Sequence, residues 1–439
     1  VDQGIYAPGT NHVLYGGDFG DKPNLKAFCL NGVVFSDRSV SAKYQEVKHV
    51  YAPVWITQKG DEIWVKNHHS HLSLEGFSCQ YQVTKNGAVG QEGELKMPSV
   101  QPGDSAQLCS LHDFKTYKNT DSRLNLSVIS QQGVEVGREQ IALSDDLYEA
   151  GRKLAADAMK RYKSSRRLAT LSTAELLARN FSVIPQFFRA PTDNDKSFGN
   201  WIAKDWKKTH LDSTLSAIPL KDGEYVYHYG EDGASDKAGS SASAKSGGNI
   251  RLRLEVAPQQ DGFVDVKATY SFEGNLPELP RLGLMLEMPR VAYDQVKWYG
   301  RGPWENYPDR KQSCPIGWYE SSVENQFTHY PRPQDNGNHE DCSYIELTNK
   351  NGKNALQVIA AGDTPLSFSA LPYSVADLYA TRHDFKLKQS GNPNLRYTCL
   401  SLDCAVLGLG NSSCGPGVLK KYAIDKTKTY TLHFKMRIL

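Results

Sequence analysis

The run Val264-Asp265-Val266-Lys267-Ala268-Thr269-Tyr270-Ser271-Phe272 alternates apolar and polar side chains almost from end to end. Successive side chains of a β-strand point to opposite faces, so such a run buries one face and wets the other. The same period governs Leu252, Leu254 and Val256, then Leu282, Leu284, Leu286 and Met288, then Tyr430, Leu432, Phe434, Met436 and Ile438. Upstream, Leu124, Leu126 and Val128 repeat it. Turn signals separate the runs: Asn86-Gly87, Gln101-Pro102-Gly103, Asn351-Gly352 and Gly391-Asn392-Pro393. Many short strands between frequent turns predict a mainly β chain built of sandwiches.

Composition bounds what such a chain can do. Its 439 residues give a prior of about three domains at roughly 150 residues each. Lys and Arg number 51 against 49 Asp and Glu, a formal net charge of +2. A near-neutral chain has no long-range field for nucleic acid or an anionic membrane, and neither is expected as a partner. Hydrophobic residues at 39% and charged residues at 23% suit a soluble globular protein. Apolar runs fall far short of the ~20 residues a membrane-spanning helix needs. The eight cysteines (Cys29, Cys79, Cys109, Cys314, Cys342, Cys399, Cys404 and Cys414) form no CxxC pair and are irregularly spaced. Buried free thiols are expected, rather than a zinc knuckle or a disulfide framework. The start, Val1-Asp2-Gln3-Gly4-Ile5, has no basic or apolar signal region and no initiator Met. It reads as a chain that begins inside a longer one, which leaves the compartment open between cytoplasm and periplasm.

The chain divides by pattern. Residues 1–50 are rich in Gly, Asp, Asn and Pro and read as structured loops followed by a short helix. Residues 51–145 read as one small sandwich, and residues 150–439 as a larger β unit. Between them Leu154, Ala155, Ala158, Met159 and Tyr162 fall at helical spacing within 147–162. The segment 230–249 is small, polar and Gly/Ser-rich and is expected to be a mobile surface hairpin loop.

Three loops concentrate chemistry. Phe188-Arg189-Ala190-Pro191-Thr192-Asp193-Asn194-Asp195 gathers oxygen acceptors on a constrained turn. That suits sugar hydroxyls or a cation; it equally suits a turn whose Asx side chains satisfy their own backbone. Trp298-Tyr299-Gly300-Arg301-Gly302-Pro303-Trp304-Glu305-Asn306-Tyr307-Pro308-Asp309-Arg310 offers flat apolar faces beside forked polar groups. A carbohydrate site needs both, but a packed loop tied by Arg–carboxylate pairs needs the same residues. Tyr330 to Asp341, containing Arg332, Asn336, His339 and Glu340, follows the same logic. His68-His69-Ser70-His71 lacks neighbouring Cys or carboxylates to complete a zinc shell. The basic run Arg152, Lys153, Lys160, Arg161, Lys163, Arg166 and Arg167 lacks interleaved aromatics and reads as a solvated face. No phosphate loop, Gly-x-Ser-x-Gly elbow or His-Glu-x-x-His helix occurs, and nothing nominates a nucleophile.

These loops resemble motifs of the large β-galactosidases of glycoside hydrolase family 2. Phe188–Asp195 is similar to the FWRAPTDND motif of that family's last domain, and Trp298–Arg310 to WYGRGPxENYPDR. Tyr330–Asn338 is similar to Y-x-RPQENGN, and Phe368-Ser369-Ala370-Leu371-Pro372-Tyr373 to FSALPY. Tyr15–Asn24, continuing through Phe28-Cys29-Leu30-Asn31-Gly32 to Asp37-Arg38, resembles the segment after the last strand of the catalytic barrel. The matches keep the family's order over essentially the whole chain. The resemblance implies a C-terminal remnant of a (β/α)8 TIM barrel at 1–50, an immunoglobulin-like β-sandwich at 51–145, and a galactose-mutarotase-like β-supersandwich from about 150 to 439. In the family that last domain opens with strands, which tips 147–162 towards strand against its local pattern.

The resemblance also implies a retaining hydrolase that removes terminal non-reducing β-D-galactose, as from lactose. Retention needs two carboxyl groups about 5 Å apart. The family's catalytic glutamates lie before Val1, because a barrel takes about 250 residues and only 1–50 remain. The isolated chain is therefore expected to be inactive, completing the sugar site of a missing N-terminal catalytic portion. A homo-oligomer is expected when complete. Phe28 and Asn31 match an F-x-x-N pair that holds Na+ beside the sugar's 6-hydroxyl, through a carbonyl and an amide oxygen. Mg2+ ligands would lie upstream. The family's loop Trp is missing from Gly408-Leu409-Gly410-Asn411-Ser412-Ser413-Cys414-Gly415-Pro416, where Asn411 could supply a hydrogen bond instead. Candidate sugar contacts are thus Asn31, Asp193, Asn194, Arg301, Trp304, Glu305, Arg332, Asn336 and Asn411. The alternatives are a non-catalytic carbohydrate-binding or assembly module, or, by fold analogy alone, mutarotation at His339/Glu340 or His383/Asp384.

Overall fold

The structure is a computed structural model. It describes residues 1–163, 181–196, 202–231, 233–237, 247–352, 355–387 and 397–439.

Residues 1–50 form a hairpin of Ile5–Tyr6 with Val13–Leu14, a 3-10 turn at Lys26–Cys29 and a helix α1 at Ala42–Val50. The Ser41 hydroxyl caps α1 by accepting from the Tyr44 amide. This segment has a minimal core of Tyr15, Ala27 and Leu30, and α1 buries none of its residues.

The small sandwich stacks two antiparallel sheets. One orders Val54–Lys59, Glu62–Asn67 and Ser105–Ser110; the other orders Ala88–Lys96, Ser78–Lys85, Ser122–Ile129 and Glu135–Ser144. Leu124, Leu126 and Val128 lie inward beside Cys79 and Val83 of the same sheet and face Ile63 and Val65 of the other. Each buried Val or Leu contributes about 1.5–3 kcal/mol relative to an exposed one.

Between the sandwiches, Leu147–Lys163 is a helix, α2. The strand leaning for 147–162 is therefore wrong and the local periodicity right. Ala150, Ala155 and Ala158 are buried on one face, which packs against the strands Tyr344–Thr348 and Leu356–Ala360. Small residues allow this approach: a Cβ on Gly151 would stand 2.5 Å from the Ser343 carbonyl oxygen. Arg437 donates to the Ala155 carbonyl at 2.9 Å and ties the helix to the sheet. Arg152, Lys153 and Lys160 of the basic run stay well exposed; Arg166 and Arg167 lie outside the described residues.

The large sandwich packs a nine-stranded sheet on a five-stranded one. The central strand of the larger sheet is the C-terminal one, Tyr430–Ile438, paired with Val264–Gly274 on one side and Leu356–Ala360 on the other. In the smaller sheet Arg281–Pro289 pairs with Ser182–Gln186 and Tyr397–Val406. The alternating residues meet between the sheets: Leu252, Val266, Tyr270, Leu284, Leu286, Leu432 and Phe434 share one core. Within 230–249 the loop expectation fails in part. Gly233–Lys237 pairs with Gly223–Gly230, and Gly248 and Asn249 open a further strand. Backbone pairing forms this hairpin despite its apolar-poor sequence. Residues 232 and 238–246 of that segment lie outside the described residues.

Candidate functional site

The three chemistry-bearing loops meet at one end of the large sandwich. Arg189 is buried and forks onto Asp195, at 2.7 and 3.0 Å, while its other donors reach the carbonyls of Leu407 and Gly408 at 2.8 and 3.1 Å. It therefore pins the loop 408–416 to the loop 188–195. Asp309 secures the same loop by accepting from the amides of Leu409 and Gly410, both at 2.8 Å. Asn194 donates to the Gly410 carbonyl at 2.6 Å and accepts from the Ser413 amide at 3.3 Å. Deeper, Arg281 pairs with Asp403 at 2.7 Å and stands 3.5 Å from Asp335, which accepts from the Tyr307 hydroxyl at 2.8 Å. Burial, offset only partly by Arg281, pushes the Asp403 carboxyl up to about 6.

Glu305 is the hub of the second loop. It is buried, and accepts from Tyr330 at 2.6 Å, Arg310 at 3.0 Å, the Gly337 amide at 2.8 Å and Thr328 at 3.3 Å. Burial alone would raise its pKa; Arg310, Tyr330 and Gly337 together outweigh that and hold it below the ordinary Glu value. Arg301 binds Asp341 at 2.5 Å and the carbonyls of Lys311 and Cys314. Asn336 is buried, bonded to the Thr328 amide and the Gln334 carbonyl. These three side chains spend their polar atoms inside the fold. Trp304 is 38% exposed.

Beside them, partly exposed Asp193 and Arg332 meet the buried Gln334. Gln334 clasps Asp193, donating to its carboxylate at 3.1 Å and accepting from its amide at 2.9 Å, and Arg332 stands 3.6 Å from it. Burial raises the Asp193 pKa against the pull of Arg332. Lys196, one residue past the motif, is pushed down to about 8 by burial and then by Arg332. Gln334 lay within the third loop, whereas Lys196, partly buried, escaped the sequence reading, since no local pattern marks a lysine as drawn into the fold. Asn411 is exposed at the tip of the loop 408–416.

Residues 1–50 dock against this end. Asp18 accepts from His383 at 2.7 Å and Arg382 at 2.8 Å, Tyr15 stacks on His383, and its hydroxyl donates to the Arg382 carbonyl. His12 stacks on Phe385 with centroids 4.1 Å apart. Phe28 lies in the 3-10 turn and Asn31 is exposed one residue beyond its cap. The paired residues weighed for mutarotation do not face a common space. His383 turns to Asp18 while Asp384 turns to His329. His339 is engaged by Gln326 and the Arg301 carbonyl and held neutral, its pKa pushed down to about 4 by burial. His68 packs at a tilt against Trp55 and His69 meets Phe77 edge-on; the described residues hold no group of three or more metal-ligating His, Cys, Asp or Glu side chains. All eight cysteines are free, and only Cys414 is exposed.

The model of the β-galactosidase small chain matches residues 160–436. The chain belongs to that family. The TIM barrel domain of glycosyl hydrolases family 2 matches residues 2–56, and domain 4 of β-galactosidase matches residues 63–144. A β-galactosidase of Priestia megaterium is 27% identical over all of this chain and 44% of its own length. One of Lactobacillus delbrueckii subsp. bulgaricus is 28% identical, again over the whole chain and 44% of the relative. The chain thus spans under half the length of the curated relatives it matches. Among solved structures, a putative aldose 1-epimerase of Escherichia coli K12 aligns at 9% identity and a TM-score of 0.25, over 51% of this chain and 69% of that one; a score that low carries no argument.

Proposed function

We propose that the chain is the C-terminal portion of a β-galactosidase, a retaining hydrolase of terminal β-D-galactosides. In this reading it completes a sugar site whose two catalytic carboxylates belong to the barrel. The supporting observation is where apolar surface is left uncovered. More than half of the large hydrophobic side chains exposed among the described residues lie in the first 51, including Ile5, Leu25, Val40, Val47 and Tyr51. A patch of that kind marks an interface, and a barrel closed over residues 1–50 would cover it. The chain's own part is positional. Exposed Asn31 and Asn411 would offer their side chains to sugar hydroxyls, with Asp193, Trp304 and Arg332 on the adjoining loops, whereas both polar ends of the Asn194 side chain are spent on Gly410 and Ser413. The Phe28 carbonyl and the Asn31 amide oxygen are hard donors suited to Na+, two of the six or so oxygens such a cation takes. Na+ would supply charge beside a sugar hydroxyl.

The test is association. Mixing the chain with the N-terminal catalytic portion should yield one complex on size exclusion and lower the binding of a hydrophobic dye to the 439-residue chain. Persistent dye binding and separate elution would contradict the reading.

A further inference from the structure

A cleft of about 600 Å³ lies where three parts of the chain meet, with Arg301 of the second loop in its wall. Its walls are the Val54–Lys59 strand, the strands Ser122–Ile129 and Glu135–Ser144, the end of α1, and the segment 301–315 of the large sandwich. A volume of that size at a junction between units is characteristic of small-molecule sites. A second cleft of about 290 Å³ adjoins it, sharing His49, Ala52, Glu135 and Arg138.

Most polar groups around the larger cleft are already engaged. Gln140 is spent on Asn125 and on both backbone groups of Ile316. Arg123 is held by Asp121 and Asp145, Arg301 by Asp341, and Glu135 by Lys48. Glu139 differs. Among the described residues, its carboxylate accepts one hydrogen bond, from the Gln140 amide at 3.0 Å. His49, Arg301 and Arg138 all attract its carboxyl, yet none comes within ion-pair distance among the described residues. The His49 Nδ1 is buried without a partner. Trp55 stands at the rim, 46% exposed, its ring braced by His68 with centroids 4.3 Å apart.

We propose that this cleft binds a neutral saccharide, a hexose or short oligosaccharide. The Trp55 face would take the apolar side of a sugar ring. Glu139 would accept from a pair of hydroxyls, and His49 and Arg138 would donate to their neighbours. An anion is disfavoured by the carboxylate in the middle, and a metal ion by the arginines around it. The inference rests on the cleft and not on the hydrolase reading.

Calorimetric titration of the 439-residue chain with lactose and with galactose tests it. Trp55→Ala and Glu139→Gln should each weaken binding by about tenfold, the scale of one lost aromatic or charged contact, with melting temperature unchanged. Trp55→Phe should restore most of it, and Asn411→Ala should leave it intact. Wild-type affinity in both Trp55→Ala and Glu139→Gln, binding abolished by Asn411→Ala alone, or no binding of either sugar would overturn the proposal. None of these readouts involves hydrolysis, so they stand whichever way an activity assay falls.

Discussion

Glu305 shows how charge is used inside this fold. Four donors surround one buried carboxylate, and Arg310 is buried with it. Glu305→Gln would leave that guanidinium without its counter-charge, and breaking such a pair costs about 3–5 kcal/mol. Because the folded pKa is depressed, its stabilising contribution is complete above the ordinary Glu value of 4.5. It is lost as pH falls through the folded value. Chemical unfolding of the wild type from pH 7 down to pH 3 should therefore show an acid-side loss that Glu305→Gln lacks; equal slopes would refute this assignment. Asn31 carries a second prediction. In the complete enzyme, Asn31→Ala should raise the Na+ concentration needed for half-maximal activity, read from rates across a Na+ series; an unchanged Na+ dependence would remove Asn31 from the cation's ligands. At this scale the sequence was ambiguous. The motif residues Arg301, Glu305 and Asn336 stood out by type, but type does not say whether a polar atom faces a sugar or its own fold. Only the partners decide that.

α2 is the element where sequence and family pattern disagreed. The spacing of Ala155 and Ala158 was a true helical signal, because burial follows a 3.6-residue period wherever one face packs. Position in a strand-rich domain could not override it. Gly151 allows that packing. Alanine there would gain about 1 kcal/mol in helix propensity, but overpacking against a fixed backbone oxygen costs roughly 1–3 kcal/mol. Gly151→Ala should therefore lower the melting temperature, whereas Arg152→Ala on the exposed face should barely change it. A raised melting temperature for Gly151→Ala would show that α2 stands further from Ser343. The alternating strands were legible, since alternation and turn residues are local, while Tyr344–Thr348 and Leu356–Ala360, buried at every position, carry no alternation to read. The Gly233–Lys237 strand was not, because its pairing comes from a neighbour's backbone and leaves no apolar mark in its own residues.

Across the whole molecule, the order of motifs implied the end of a longer enzyme, while the packing of residues 1–50 onto Arg382, His383 and Phe385 left no trace in sequence. That packing joins residues 1–50 to the large sandwich and leaves apolar side chains of the segment uncovered. In the proposed function this chain supplies a sugar site's frame and another portion supplies the two carboxylates. The rate of hydrolysis of a chromogenic β-galactoside by the 439-residue chain alone, by the N-terminal catalytic portion alone, and by the two combined tests this division of labour. No turnover is expected from the chain by itself, and turnover is expected to be restored in the mixture. Turnover by the chain alone, or a complex of the two that stays inactive, would contradict it.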